Sequence, residues 1–295
     1  MKDDNVIVEK NPRIKFFIKI AINIIVGLLL IIILGCIILY IFQDKLIFSQ
    51  KGISEETLNY IKSTHENVEE INLKMQDGTN LHGWFVKNND ARRSKLLIYF
   101  GGNAEEVSYL CDEMKRYRDW SVVLLNYRGY GLSQGNPSEE NLYSDAIEIY
   151  DYFSAQDNID ESNIVVMGRS LGTGVATYLA KNRKVKGLIL ITPYDSLKSL
   201  IEKKIPIFPS GLMLRHQFDS LARAPVIKVP LHIIVALEDN IIPLWHSEKL
   251  ASTWGGKVFI NEIKGEGHNS LRHTDEYWDV IKNSLKEIED GAFVY

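Results

Sequence analysis

Cysteine is nearly missing from this chain, with only Cys36 and Cys111 among 295 residues. Two thiols, the first inside a long apolar run, build neither a disulfide framework nor a cysteine-rich zinc site, so the fold must rest on its own hydrophobic core. An excess of positive charge is lacking as well. Lys and Arg number 34 against 38 Asp and Glu, a formal net charge of −4, which gives no attraction to a phosphate backbone and excludes a basic nucleic-acid binder. There is no phosphate-binding P-loop, no dinucleotide fingerprint and no H-E-x-x-H, so the sequence gives no basis for a nucleotide cofactor or a zinc centre, and none is expected. Internal repeats and low-complexity tracts are also absent. The remaining composition, 45% hydrophobic and 24% charged, is that of a globular protein with room for one large domain or two small ones.

What is present is unevenly distributed. From Ile20 to Phe42 the chain has no charge and only Asn23 is clearly polar. At about 1.5 Å per residue, such a helix crosses a hydrocarbon core of about 30 Å. Lys10, Arg13, Lys15 and Lys19 precede the run, whereas Asp44, Lys45 and Lys51 follow it without a positive excess. This bias predicts a cytoplasmic segment over residues 1–19, a transmembrane anchor over 20–42 and the rest of the chain outside the cytoplasm, in the periplasm or the extracellular space if the source is bacterial. No A-x-A-like cleavage site follows the run. Ile33-Leu34-Gly35-Cys36 has the outline of a lipoprotein processing box, but the chain stays apolar from Ile37 to Phe42, which fits an uncleaved anchor better than a lipidated Cys36.

Residues 43–67 read as a short stalk with one amphipathic turn. Beyond it, Val68–Met75 and Asn80–Val86 flank Asp77-Gly78 and form an expected antiparallel pair. Leu96–Phe100, Val122–Leu125, Ile164–Met167, Leu188–Ile191 and Leu231–Val235 are short, nearly continuous apolar runs, the signature of strands covered on both faces. Helical patterns lie between and after them, over Ala104–Arg118, Glu139–Ala155, Leu171–Lys181, Leu244–Thr253 and Thr274–Glu289. The alternation predicts one α/β domain over 68–290, with a mostly parallel central sheet and helices on both faces. Residues 193–230, with Pro206, Pro209, Pro225 and Pro230 among short apolar pieces, break the alternation and read as a lid-like insertion.

Gly168-Arg169-Ser170-Leu171-Gly172 matches G-x-S-x-G. Three fixed residues at about 7% each occur by chance in roughly one chain in ten of this length, so the flanking strand and helix patterns carry the weight. Glycines on either side of a sharp strand-to-helix turn clear space while the serine is pushed out at the strand end. A serine hydroxyl needs an imidazole to take its proton, and the imidazole needs a carboxylate to orient it. In such folds the chain order is serine, acid, histidine. His268 lies in the glycine-rich loop Gly265-Glu266-Gly267-His268-Asn269, whereas His246 and His273 fall in helical stretches, where a solvated or capping histidine is expected. Asp239, with Glu238 as its rival, follows the Leu231–Val235 run and is the expected acid. Gly101-Gly102-Asn103 follows Leu96–Phe100, and the backbone N–H groups of Asn103 and Leu171 are the expected oxyanion donors.

These residues together resemble the α/β-hydrolase superfamily, close to its membrane-anchored Bem46-like and ABHD-type serine hydrolases, over about residues 68–290. The resemblance includes Asn126-Tyr127-Arg128-Gly129-Tyr130-Gly131-Leu132-Ser133 with Gly135 and Pro137, then Phe218-Asp219-Ser220-Leu221, Leu237-Glu238-Asp239 with Pro243, and Gly265-Glu266-Gly267-His268. Relatives usually carry His-Gly-Asn where this chain has Gly101-Gly102-Asn103, and Asp where it has Asn126. The first change leaves the backbone donor at Asn103 in place, and the second touches loop packing. The resemblance implies hydrolysis of an ester, thioester or amide through an acyl-enzyme on Ser170, without a cofactor or a metal. An apolar lid containing Ile205, Ile207, Phe208, Leu212, Met213 and Leu214, held near a bilayer, suits a lipid-like or acylated substrate. An aminopeptidase-type amide hydrolase and a non-catalytic membrane-tethered binding module are the alternatives.

Overall fold

A computed structural model describes residues 12–88 and 92–291. Residues 1–11, which include Lys10 and most of the expected cytoplasmic segment, lie outside the described residues. The apolar run is one helix, α1 (Pro12–Ile47, 36 residues). Within Lys15–Ile47, an 18-residue window reaches a mean hydropathy of 3.3 with none of its residues buried against the protein, which makes this helix a candidate membrane span by length and composition. At about 1.5 Å per residue, α1 is longer than a hydrocarbon core is thick. The surplus at its C-terminal end, Gln43–Ile47, reaches the domain, where Ile47 and then Phe48 are buried.

The expected stalk is therefore no free spacer. It continues as α2 (Glu55–Thr64), capped by Ser54, whose side chain accepts from Thr57 N–H, and Ile61 of this helix is buried in the core. The apolar residues that follow α1 have a hydrophobic face of the domain within reach, which is why the segment packs.

The core is an eight-stranded sheet in the order β1-β2-β4-β3-β5-β6-β7-β8. β1 (Val68–Lys74) and β2 (Asn80–Val86) form the expected hairpin, and β2 also runs antiparallel to β4 (Trp120–Leu125). From β4 onward, β3 (Ser94–Phe100), β5 (Ile159–Arg169), β6 (Gly187–Ile191), β7 (Leu231–Ala236) and β8 (Val258–Ile263) pair in parallel. Alternate residues of β3 show why the central runs are continuously apolar. Leu96, Ile98 and Phe100 enter one core, and Leu97 and Tyr99 enter the other. The first core is closed by α4 (Glu139–Ser154), α5 (Leu171–Asn182) and α8 (Leu244–Thr253), through residues such as Leu142, Val175 and Leu250. The second is closed by α2, the short helix α3 (Leu110–Glu113) and α9 (Asp275–Asp290), through Ile61, Cys111 and Ile281.

One expectation is corrected, and one strand is added that the apolar runs do not announce. Ala104–Arg118 is not one helix, because Ala104 has φ +58° and the rest breaks into 3₁₀ turns on either side of α3. Glu106 caps the first of these turns by accepting from Ser108 N–H, and Val107 N–H is drawn away to Asn126 Oδ1 at 3.1 Å. The added strand is β8, which lies at the end of the sheet and whose apolar Val258, Phe259 and Ile260 are followed by the adjacent polar pair Asn261 and Glu262. The insertion after β6 folds as α6 (Leu197–Lys204), α7 (Ser210–Met213) and a 3₁₀ turn at Ala224–Val226.

Candidate active site

The parallel register brings the carboxyl ends of five strands to one edge. Phe100 of β3 pairs with Gly168 of β5, Arg169 of β5 with Ile191 of β6, and Ala236 of β7 with Ile263 of β8. The loops after β3, β5, β7 and β8 therefore converge, and they carry Asn103, Ser170, Asp239 and His268.

Ser170 joins β5 to α5 at φ +49°, ψ −114°, a conformation a side chain adopts only under strain imposed by its surroundings. Its flanking glycines have no alternative. A Cβ on Gly168 would stand 2.4 Å from Gly172 O, and one on Gly172 would stand 2.1 Å from Phe100 O. Ser170 Oγ lies 3.0 Å from His268 Nε2, and His268 Nδ1 lies 2.7 Å from Asp239 Oδ2. The other carboxylate oxygen of Asp239 accepts from Ile241 N–H and Ile242 N–H, both at 2.8 Å. That turn fixes the orientation of the carboxylate, whereas Glu238 is exposed and its backbone N–H donates to Glu266 O. The structure thus brings together Ser170, His268 and Asp239, and leaves Glu238 aside.

Leu171 opens α5, so its N–H belongs to the first turn of the helix, whose donors have no intrahelical partner. Asn103 borders the same cavity as Ser170 and Leu171. The loop that carries it is held from behind. Asn103 Oδ1 accepts from Ser49 N–H at 2.7 Å, Tyr130 OH approaches the same oxygen at 3.5 Å, and Tyr127 OH donates to Gly101 O at 2.8 Å. The Asn126–Ser133 motif is therefore a brace for this loop. Its Arg128 forms a bidentate pair with Asp145 of α4, at 2.9 and 2.6 Å. Asn126 has a local reason as well. Its Nδ2 donates to Glu106 Oε1 at 2.8 Å while its Oδ1 accepts from Val107 N–H, whereas an aspartate there would face the Glu106 carboxylate.

Sequence reasoning missed a buried ion pair beside the serine. Arg169 Nη1 lies 3.0 Å from Glu105 Oε2, and Arg169 Nη2 donates to His268 O at 3.2 Å and Asn269 Oδ1 at 3.1 Å. Glu105 also accepts from Gly102 N–H, Tyr99 OH and Tyr109 OH, each at 2.6 Å. The pair clamps the Gly101–Asn103 loop to the His268 loop. Burial opposes the ionisation of Glu105, but the Arg169 guanidinium and the three donors outweigh it and hold the carboxyl below the usual carboxylate range. Motif position alone could have flagged Arg169, but its partner lies 64 residues away in sequence.

His246 departs from expectation. It is buried, with Nδ1 2.6 Å from Asp195 Oδ1, and Lys249 Nζ lies 2.6 Å from Asp195 Oδ2. This pair ties the loop after β6 to α8 and stands apart from Ser170. His273 caps nothing at the site and lies in the 3₁₀ turn Leu271–His273.

A cavity of about 420 Å³ opens above Ser170 and His268. Its walls are apolar: Leu39, Leu46 and Ile47 from α1, Leu197, Leu200 and Ile201 from α6, and Ile205, Phe208 and Leu214 beyond it. Among the described residues, no cluster of His, Cys, Asp and Glu is suited to a metal ion.

A strained serine at a strand-to-helix turn, on the carboxyl edge of a mostly parallel sheet, defines the hydrolase class of this architecture. A family model described as the alpha/beta hydrolase fold matches residues 95–210. The chain is 30% identical over 246 residues to the alpha/beta hydrolase domain-containing protein WAV2 of Arabidopsis thaliana, covering 75% of this chain and 78% of that one. It is 28% identical to an uncharacterized membrane protein of Saccharomyces cerevisiae, YNL320W, over 88% of this chain and 95% of its relative. Among solved structures, an acetyl xylan esterase from Paenibacillus sp. R4 superposes with a TM-score of 0.62 at 15% identity, over 83% of this chain and 98% of that one. The chain belongs to the alpha/beta hydrolase family.

Proposed function

We propose that this chain is a membrane-anchored serine hydrolase that cleaves a carboxylic ester or thioester with an apolar acyl group. The observation that carries the reading is the Ser170–His268–Asp239 relay, at 3.0 and 2.7 Å, on the floor of an apolar cavity. His268 Nε2 takes the Ser170 proton as Oγ attacks the carbonyl carbon. Asp239 holds the imidazole and stabilises its cation, and the N–H groups of Asn103 and Leu171 receive the oxyanion. His268 then returns the proton to the leaving alcohol or thiol. Water, deprotonated by His268, attacks the acyl-Ser170 ester, and the carboxylic acid leaves with Ser170 restored.

The apolar helix α1, and the likeness to a yeast protein described as a membrane protein, support anchoring. The flanking charges support an extracytoplasmic domain. Turnover of p-nitrophenyl esters by the detergent-solubilised full chain tests the chemistry. We expect Asp239→Asn to lower kcat by about 10⁴-fold, the cost of losing the orienting carboxylate in a serine relay. Activity that survives Asp239→Asn would remove Asp239 from the relay.

A further inference from the structure

The end of the anchor helix forms part of the catalytic cavity. Leu39, Gln43, Leu46 and Ile47 of α1 make one wall, and the insertion makes the facing wall. The two walls are latched together. Gln43, which is 4% exposed, donates from Nε2 to Met213 O at 3.1 Å and accepts at Oε1 from Arg215 N–H at 2.8 Å. Asp44 Oδ1 lies 3.1 Å from Arg215 Nη2 and 3.0 Å from His216 Nε2.

Further back along α1, Cys36 Sγ lies 3.9 Å from Ile207 O. Cys36 stands six residues before the last apolar residue of the uncharged run, Phe42, which is about 9 Å along a helix axis. The insertion therefore reaches beside α1 to a depth where α1 itself is wholly apolar. On this segment Ile207 is 59% and Leu212 92% exposed, two large apolar side chains at the surface, with the Ile207 backbone beside Cys36 of α1. Lys203 and Lys204 are exposed at the end of α6, Lys45 is exposed on α1, and Arg215 lies over the Tyr40 ring at 5.3 Å. A rim of cations and an aromatic ring behind apolar side chains is the pattern of an element seated at a lipid headgroup boundary.

We propose that residues 205–213 seat in the same bilayer as α1, and that the acyl chain of a membrane-resident ester or thioester passes laterally from the leaflet into the cavity between them. The chain runs along Leu39 and Leu46, and its carbonyl meets Ser170. A polar recess of about 330 Å³, lined by Asn103, Glu106, Asn269 and Arg272 among others, adjoins the carbonyl site and suits the polar leaving group. The substrate class is thus an acyl amphiphile that never leaves the membrane. The chemistry of this inference rests on the serine-hydrolase reading, whereas the seating of the insertion does not.

The test uses the full chain in nanodiscs of phosphatidylcholine and phosphatidylglycerol, carrying Leu212→Cys and Cys36→Ser and labelled with an environment-sensitive nitrobenzoxadiazole dye. Cys111 is fully buried and escapes labelling. Blue-shifted emission quenched by doxyl-labelled lipids is the expected result, and unquenched emission typical of water overturns the seating. In the same nanodiscs, Leu39→Trp narrows the cavity. The ratio of kcat/KM for a palmitoyl over a butyryl p-nitrophenyl ester should fall at least about tenfold, and an unchanged ratio overturns the acyl path. Fluorophosphonate labelling of the same samples separates the two readings. An unquenched dye with Ser170 still labelled sinks the seating alone, and a quenched dye with no labelling sinks the hydrolase reading alone.

Discussion

At the scale of single residues, the site depends on groups that have no room to change. Glu105 and Arg169 are buried and pair with each other. Glu105→Gln leaves the guanidinium without its counter-charge, and the expected cost is about 3–5 kcal/mol of stability. Denaturant unfolding in detergent measures this, and a midpoint equal to that of the native chain would mean that the pair contributes little. Because Arg169 also holds His268 O, the same variant should lose kcat even where it is folded. Local motifs made much of this site legible. Gly168, Ser170 and Gly172 announce a tight turn because only glycine fits beside Phe100 O and Gly172 O, and His268 stood out by its glycine-rich loop. The Glu105–Arg169 clamp and the contact of Ser49 with Asn103 were not legible, since each joins segments more than fifty residues apart.

At the scale of elements, what could be read depended on burial. β3, β5, β6 and β7 are covered on both faces and show as apolar runs, whereas β8 lies at the end of the sheet and carries a mixed pattern. The break of the helix expected over Ala104–Arg118 comes from partners outside it, Asn126 above all. One strand residue sets a pH dependence. Burial lowers the His232 imidazole in β7 from the ordinary 6.5 to about 4. The unfolded chain then binds more protons than the folded one between these values, so stability falls as pH drops from about 6.5 towards 4, by up to about 3 kcal/mol from this group. His232→Leu should flatten the melting temperature of the detergent-solubilised chain over that range. A variant whose melting curve follows the native pH profile would assign the acid sensitivity elsewhere.

At the scale of the molecule, α1 and the α/β domain form one structure and not a tether with a passenger. α1 supplies a cavity wall, Ser49 holds the Asn103 loop, and α2 packs into the second core. The sequence marked the apolar run clearly but not this union, because Gln43–Ile47 look like the end of a membrane segment until the surface they meet is known. The charge bias around α1 predicts a domain outside the cytoplasm. In sealed inside-out vesicles, the domain should resist added protease until detergent opens them, and digestion without detergent would reverse the orientation. The central claim, that Ser170 is an activated nucleophile, is tested most directly by fluorophosphonate labelling of the full chain beside Ser170→Ala and His268→Ala. Labelling of the native chain, lost in both variants, is the predicted result. A folded native chain that takes no label, or a Ser170→Ala chain that still does, would contradict it.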